Sequence, residues 1–267
     1  MKKDEHYSHF VSTVRRREPG VPLITIANHR SMLDDPALMA SVLPLSMSYQ
    51  PRYLRWSVCS QEFCFNPKLP SFVNMYSGLG KVLPIRRGGG INQKLLLNFA
   101  RRAAAGEWVH IFPEGGIWQL PSLGGRENGR EGEIGRLKWG VGKLIAHSPV
   151  RPVVIPFFHW GMETILPQHP VTKSLLTKGI PVPGHRVAVR FGKELHFDDL
   201  IEAHEKKFGL LWKYHATVDA DANPDDFHVH WDSRPEDLAL YSAITRRIEE
   251  ALNELNRESN AELGVNC

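Results

Sequence analysis

The chain contains no apolar run approaching the roughly 18–20 residues that a membrane-spanning helix requires. Its most apolar stretch, "VVIPFF" at 153–158, is strand length. Cysteine is scarce: Cys59, Cys64 and Cys267 are the only three in 267 residues. That number and spacing make neither a disulfide framework nor a metal knuckle, so free thiols are expected. The opening "MKKDEHYSHFVSTVRRREPG" lacks the apolar core and small-residue cleavage site of a secretory signal. Asp4 and Glu5 among its basic residues do not suit a mitochondrial presequence either. No segment repeats, and no recognised nucleic-acid motif accompanies the basic residues, which speaks against nucleic acid as a partner. His228 and His230 stand among acids in "DADANPDDFHVHWD", but their spacing fits no zinc or calcium pattern, so no metal is expected.

What is present is the composition of a globular protein, 42% hydrophobic and 23% charged. The net charge of +4 is unevenly spread: from Lys81 to Lys143 there are eleven basic residues against five acidic ones. A locally basic middle suits phosphate-bearing partners: nucleic acid, anionic lipid headgroups or a phosphorylated small molecule. Lys138 and Lys143, on an expected helix, belong to a surface that is solvated or faces headgroups.

Strand-like runs recur at 23–27, 81–85, 107–112, 152–158 and 186–191, with helical patterns between them at 36–43, 91–105, 136–147 and 236–257. This alternation predicts an α/β sheet covered by helices, with ligand contacts gathered at strand ends. At the end of the chain Tyr241, Ile244, Ile248, Leu252 and Leu255 recur at three- and four-residue intervals, giving an amphipathic helix. The expected organisation is an N-terminal segment (1–20), one α/β domain (21–200), an acidic insertion or loop (201–235), a C-terminal helix (236–258) and a tail (259–267).

Four places carry chemistry. In "ITIANHRSMLDDPAL" a β-branched strand breaks at Asn-His-Arg-Ser, and Asp35-Pro36 reads as a helix N-cap followed by proline at the first position. Residues five apart diverge by roughly 140° on a helix, so His29 and Asp34 can meet only across a turn. Arg86 and Arg87 follow the strand "KVLPI" and precede three glycines that let backbone amides approach an anion. Glu114 and Gly115 follow "WVHIF" in a Pro-Glu-Gly-Gly loop, and Pro156 inside "VVIPFFHW" is expected at an edge or a bulge. The segment "CFNPKLPSFVNMYSGLG", 64–80, crowds Phe65, Leu69, Phe72, Val73, Met75 and Tyr76 just before the arginines. An apolar surface of this kind, if it is not core, fits contact with a membrane interface.

Taken in order, the His29–Asp34 pair, the arginine after "GKVLPI", "FPEG" and "VVIP" resemble the four blocks of the glycerolipid acyltransferase family. The strings "ANHRSMLDDPAL", "GEWVHIFPEGG" and "RLKWGVGKLIAH" look like its phospholipid–lysophospholipid transacylase branch, which remodels cardiolipin. The resemblance spans about 21–200. It implies His29 as general base with Asp34 as its partner, phosphate held by Arg86 or Arg87, and a headgroup site shaped by Glu114 and Gly115. It further implies phospholipid and lysophospholipid partners including cardiolipin, no cofactor, and a peripheral or monotopic place on a mitochondrial membrane. An acyl-CoA-dependent lysophospholipid or glycerol-phosphate acyltransferase uses the same blocks, and an inactive membrane-surface binding protein is the third reading.

Overall fold

The computed structural model describes residues 4–65, 80–119, 134–169, 172, 174–177, 179–215 and 231–263. In chain order these form α1 (Glu5–Arg16), β1 (Leu23–Ala27), a π turn (Asp34–Leu38) running into α2 (Met39–Ser41), and α3 (Leu45–Ser48). There follow a 3-10 turn (Pro51–Tyr53), β2 (Ser57–Ser60), α4 (Gln61–Cys64), β3 (Val82–Ile85), α5 (Lys94–Ala104) and β4 (Trp108–Ile111). The rest comprises α6 (Gly140–Ala146), β5 (Val153–Trp160), α7 (Met162–Ile165), β6 (Ala188–Phe191), α8 (Asp198–Phe208) and α9 (Asp237–Leu263).

Four strands lie in the order β4-β1-β5-β6, with β1 parallel to both neighbours and β6 antiparallel to β5. β2 and β3 pair in parallel, and a Trp56–Val109 bridge carries that pair onto the outer edge of β4. β1 is buried along its whole length, as a β-branched run covered on both faces should be. One face packs on α5, α6 and α9 through Phe99, Leu144, Tyr241 and Ile248; the other holds Phe10, Leu38, Phe157 and Phe191. The predicted mixed α/β architecture is therefore present, with a parallel-dominated sheet and a C-terminal helix.

Pro156 is tolerated because β6 breaks opposite it. Gly192 N donates to the Pro156 carbonyl at 2.8 Å, and the next pairing is the Val154–Leu195 bridge, so the missing N–H falls in a gap of the ladder. α6 approaches α9 closely at Gly142, where any Cβ would meet the Tyr241 backbone and lie 2.9 Å from Thr245 Oγ1. The second glycine of "KWGVG", Gly142, thus serves the packing of two helices.

Several local expectations are corrected. Asp35 does not cap a helix: 34–38 form a wide turn whose N-cap, Leu33, makes no side-chain capping bond. The Asp35 carboxylate instead meets Arg55 at 2.7 Å and accepts from Ser57 Oγ at 2.8 Å. Cys59 and Cys64 form a disulfide across the β2–α4 turn, their Cα atoms 6.0 Å apart, where free thiols were expected. Lys143 is not on a surface. It is fully buried, donating to the carbonyls of Ile91 and Trp231 and to Asn92 Oδ1, with Trp231 4.1 Å away face-on, and burial lowers its pKa to about 8. Lys138 is exposed, its stem running across Gly115. Of the expected acidic insertion, 201–208 continue α8, and Leu211, Tyr214 and Trp231 enter the core.

Candidate active site

β1 ends at Ala27 inside the sheet, and the chain then turns back on itself, which places the loop of residues 28–33 over the carboxyl ends of β4 and β5. Asn28 anchors the loop: its side-chain amide both donates to the His159 carbonyl and accepts from the His159 N–H, each at 2.9 Å. Asp34 closes it. Its Oδ2 accepts from the backbone N–H of Arg30 at 2.6 Å, of Ser31 at 2.8 Å, and from His29 Nδ1 at 2.9 Å. Short sequence separation and these bonds convert the His29–Asp34 spacing into a contact.

Because Asp34 can only accept, the neutral form of His29 carries its proton on Nδ1 and leaves Nε2 as the acceptor. Nε2 makes no hydrogen bond among the described residues, while the side chain keeps 20% of its exposure. Asp34 is fully buried. Burial works to raise its pKa, but His159, His29 and the Ser31 N–H outweigh it and hold the carboxyl below its ordinary value. His159 sits behind the pair, its Nε2 2.8 Å from the Asn28 carbonyl and 3.5 Å from Asp34 Oδ2. Both partners accept, so Nε2 bears the proton; burial keeps this imidazole below its usual pKa and neutral.

The imidazole of His29 stacks on Phe112, centroids 4.4 Å apart and planes at 17°. Phe112 also meets His110 edge-on, and His110 bonds to Thr25 Oγ1 at 2.9 Å; burial drives its pKa well down. Glu114 is nearly buried, and its Oε1 accepts from the His29 N–H at 2.7 Å. Its visible work is to hold the His29 backbone. Gly115 has φ +70°, the left-handed turn that frees the loop to pass beneath the Lys138 stem.

The structure thus brings His29, Asp34 and Glu114 together, with Gly115 next in the loop. Arg86 and Arg87 are exposed on the same sheet edge but after β3, three strand spacings from β1, or roughly 14 Å. Arg87 lies over the Phe63 ring at 5.1 Å, and the Gln93 side chain closes the glycine loop by bonding Arg86 and Gly90. Of the proposed membrane-contact residues, Leu69, Phe72, Val73, Met75 and Tyr76 lie outside the described residues; Phe65 is half-buried. Among the described residues no helix is long and apolar enough to cross a membrane. Sequence reasoning missed Asn28, His159 and Arg55. A polar residue inside the apolar run "VIPFFHW" was the available signal for His159.

A family model described as Acyltransferase matches residues 8–160, more than half of the chain, so the chain belongs to the acyltransferase family. Within that class it is 36% identical over 188 residues to N-acylphosphatidylethanolamine synthase of Arabidopsis thaliana, covering 70% of this chain and 61% of that protein. It is 35% identical over 191 residues to tafazzin of Drosophila melanogaster, covering 72% and 45%. Against tafazzin of Saccharomyces cerevisiae it is 27% identical over 273 residues, covering 88% and 67%. The chain therefore spans 61% and 45% of the length of the plant and fly proteins.

Proposed function

We propose that this protein is a phospholipid acyltransferase that works as a CoA-independent transacylase, moving an acyl chain from a phospholipid such as phosphatidylcholine to a lysophospholipid such as monolysocardiolipin. The observation that carries the reading is the His29–Asp34 contact, with an oriented imidazole and an open Nε2. In this mechanism His29 Nε2 takes the proton of the acceptor hydroxyl as its oxygen attacks the donor ester carbonyl. The tetrahedral intermediate then expels the donor's glycerol oxygen, which receives the proton back from His29. Asp34 holds the tautomer and steadies the imidazolium. No side chain is acylated, and the reaction needs no cofactor.

Arg86 and Arg87 are the proposed phosphate ligands, because the guanidinium fork matches phosphate geometry. The protein is proposed to bind one face of a mitochondrial membrane, with the 64–80 segment entering the interface. The plant relative's name supports a second acceptor, the amine of phosphatidylethanolamine, attacked with help from the same base.

The test is transfer of a labelled acyl chain from phosphatidylcholine in bilayers containing monolysocardiolipin or phosphatidylethanolamine, with and without acyl-CoA. Label reaching monolysocardiolipin in the absence of CoA is the expected result. Strict dependence on acyl-CoA supports the acyl-CoA-dependent alternative, and label on the amine of phosphatidylethanolamine supports the second acceptor.

A further inference from the structure

A buried position on a packed helix takes methionine or leucine without desolvating a charge, yet α6 carries Lys143 at such a position. Its side chain is fully buried, and its ammonium touches no carboxylate among the described residues. Burying a lone cation is costly unless hydrogen bonds replace its water. Here all three ammonium protons find acceptors, and these come from two segments far apart in the chain. One supplies the Ile91 carbonyl at 3.2 Å and Asn92 Oδ1 at 2.8 Å; the other supplies the Trp231 carbonyl. The faces of Trp231 at 4.1 Å and Trp212 at 5.7 Å complete the cage.

Ile91 and Asn92 belong to the loop 86–93, which leads from β3 to α5 and carries Arg86 and Arg87. Asn92 Oδ1 also accepts from the Ser233 N–H at 3.2 Å and from Ser233 Oγ at 2.8 Å, while the Trp231 indole donates to the Gln93 carbonyl at 3.2 Å. The Gln93 side chain in turn holds the Arg86 backbone, accepting from its N–H at 2.8 Å and donating to its carbonyl at 3.2 Å. It donates to the Gly90 carbonyl as well, at 2.9 Å. A continuous set of bonds therefore runs from Lys143 and Trp231 to the backbone of Arg86. The loop needs such support, because Gly88 and Gly90 both take positive φ and leave it little stiffness of its own. The support comes from a C-terminal segment, 231–233, beyond the stretch 8–160 that the family model matches.

We propose that Lys143 is a positioning residue for the arginine loop: together with Trp231 it pins residues 91–93, so that Arg86 and Arg87 meet a substrate phosphate in one fixed arrangement. This rests on the reading of those arginines as phosphate ligands. A compact ammonium suits the task, since its three donors can serve acceptors from both segments at once. Methionine has a similar volume, so it keeps α6 packed but leaves the Ile91 and Trp231 carbonyls without their donor.

The experiment compares wild type, Lys143→Met, Lys143→Arg and Trp231→Phe, each with its native arginines and in an Arg86→Ala/Arg87→Ala background. Three quantities are measured: amide hydrogen exchange over 86–93, calorimetric affinity for sn-glycerol 3-phosphate, and acyl transfer to a lysophospholipid. Lys143→Met should speed exchange over 86–93 about tenfold or more while α9 keeps its protection. It should weaken glycerol phosphate binding and raise the lysophospholipid KM about tenfold, with kcat changed less than about threefold. In the background lacking both arginines the same substitution should change binding less than about twofold, because the pin then has nothing to position. Lys143→Arg should recover part of the affinity, since it keeps the charge and the donors. Trp231→Phe, which loses only the indole N–H bond to the loop, should move all three quantities in the same direction and carries the test if Lys143→Met does not fold. Unchanged exchange over 86–93 would overturn the proposal, as would a fall in kcat alone or a loss of binding equally large without the arginines. Exchange that follows Lys143 beside phosphate binding indifferent to both arginines would refute the arginine reading itself, and the positioning role with it.

Discussion

Replacing Asp35 by Asn is expected to destabilise the fold much more than loss of a helix cap, which costs about 1 kcal/mol. Arg55 is 6% exposed and touches the Asp35 carboxylate at 2.7 Å, while its other hydrogen bonds among the described residues go to the neutral carbonyls of Gly80 and Asp35. Asparagine preserves size and an acceptor for Ser57 Oγ but leaves the guanidinium buried without its anion. Breaking a fully buried pair from one side costs about 3–5 kcal/mol. The Asp35 side chain retains 21% exposure, so water screens part of the loss and about 2–3 kcal/mol is expected. For a chain of this size that lowers Tm by about 4–6 °C. The assay is thermal and urea unfolding of Asp35→Asn, Arg55→Met and the double variant. The pair should show a coupling of at least about 1 kcal/mol, since removing both charges removes the orphaned one. A Tm within about 2 °C of wild type for Asp35→Asn, or strictly additive single effects, would refute the reasoning.

His29→Ala should reduce acyl transfer by about a hundredfold or more with an unchanged melting profile, and Asp34→Asn should fall comparably because it loses the oriented tautomer; near-normal turnover in either removes the base mechanism. Gly142→Ala should destabilise by about 1–3 kcal/mol in urea unfolding, because its Cβ drives into the Tyr241 backbone and Thr245; an unchanged midpoint would mean that α6 and α9 can move apart. His110 and His159 are held below their ordinary pKa by burial, and His147 is lowered to about 3. Unfolding then takes up protons below about pH 6.5, so stability should fall as pH drops through that value, by up to about 1.4 kcal/mol per unit per histidine. A urea midpoint equal at pH 7.5 and 5 contradicts the buried neutral state. Liposome flotation should be weakened by Phe72→Asp or Leu69→Asp in folded protein; unchanged binding by both assigns the 64–80 side chains to the core.

Much of the architecture follows from the chain alone, because periodicity reports how a segment is buried. The run 23–27 is β-branched and continuous and becomes the central strand; Tyr241 to Leu255 repeat every three or four residues and become the packed face of α9. His29 and Asp34 were legible as a pair for a local reason too, since residues five apart can meet only where the chain turns between them. Other contacts depend on distance in space. Asp35 looked like a cap until Ser57 and Arg55, some twenty residues on, came within bonding distance of it. Lys143 looked solvated until the carbonyls of Ile91 and Trp231 surrounded its ammonium. His159 and Glu114, 131 and 85 residues from the partners they hold, reach the base only because β1, β4 and β5 are neighbours in one parallel sheet. Local patterning encodes each element and its buried face, whereas the strand order, which no window of sequence contains, decides which polar groups meet at the carboxyl ends of the strands.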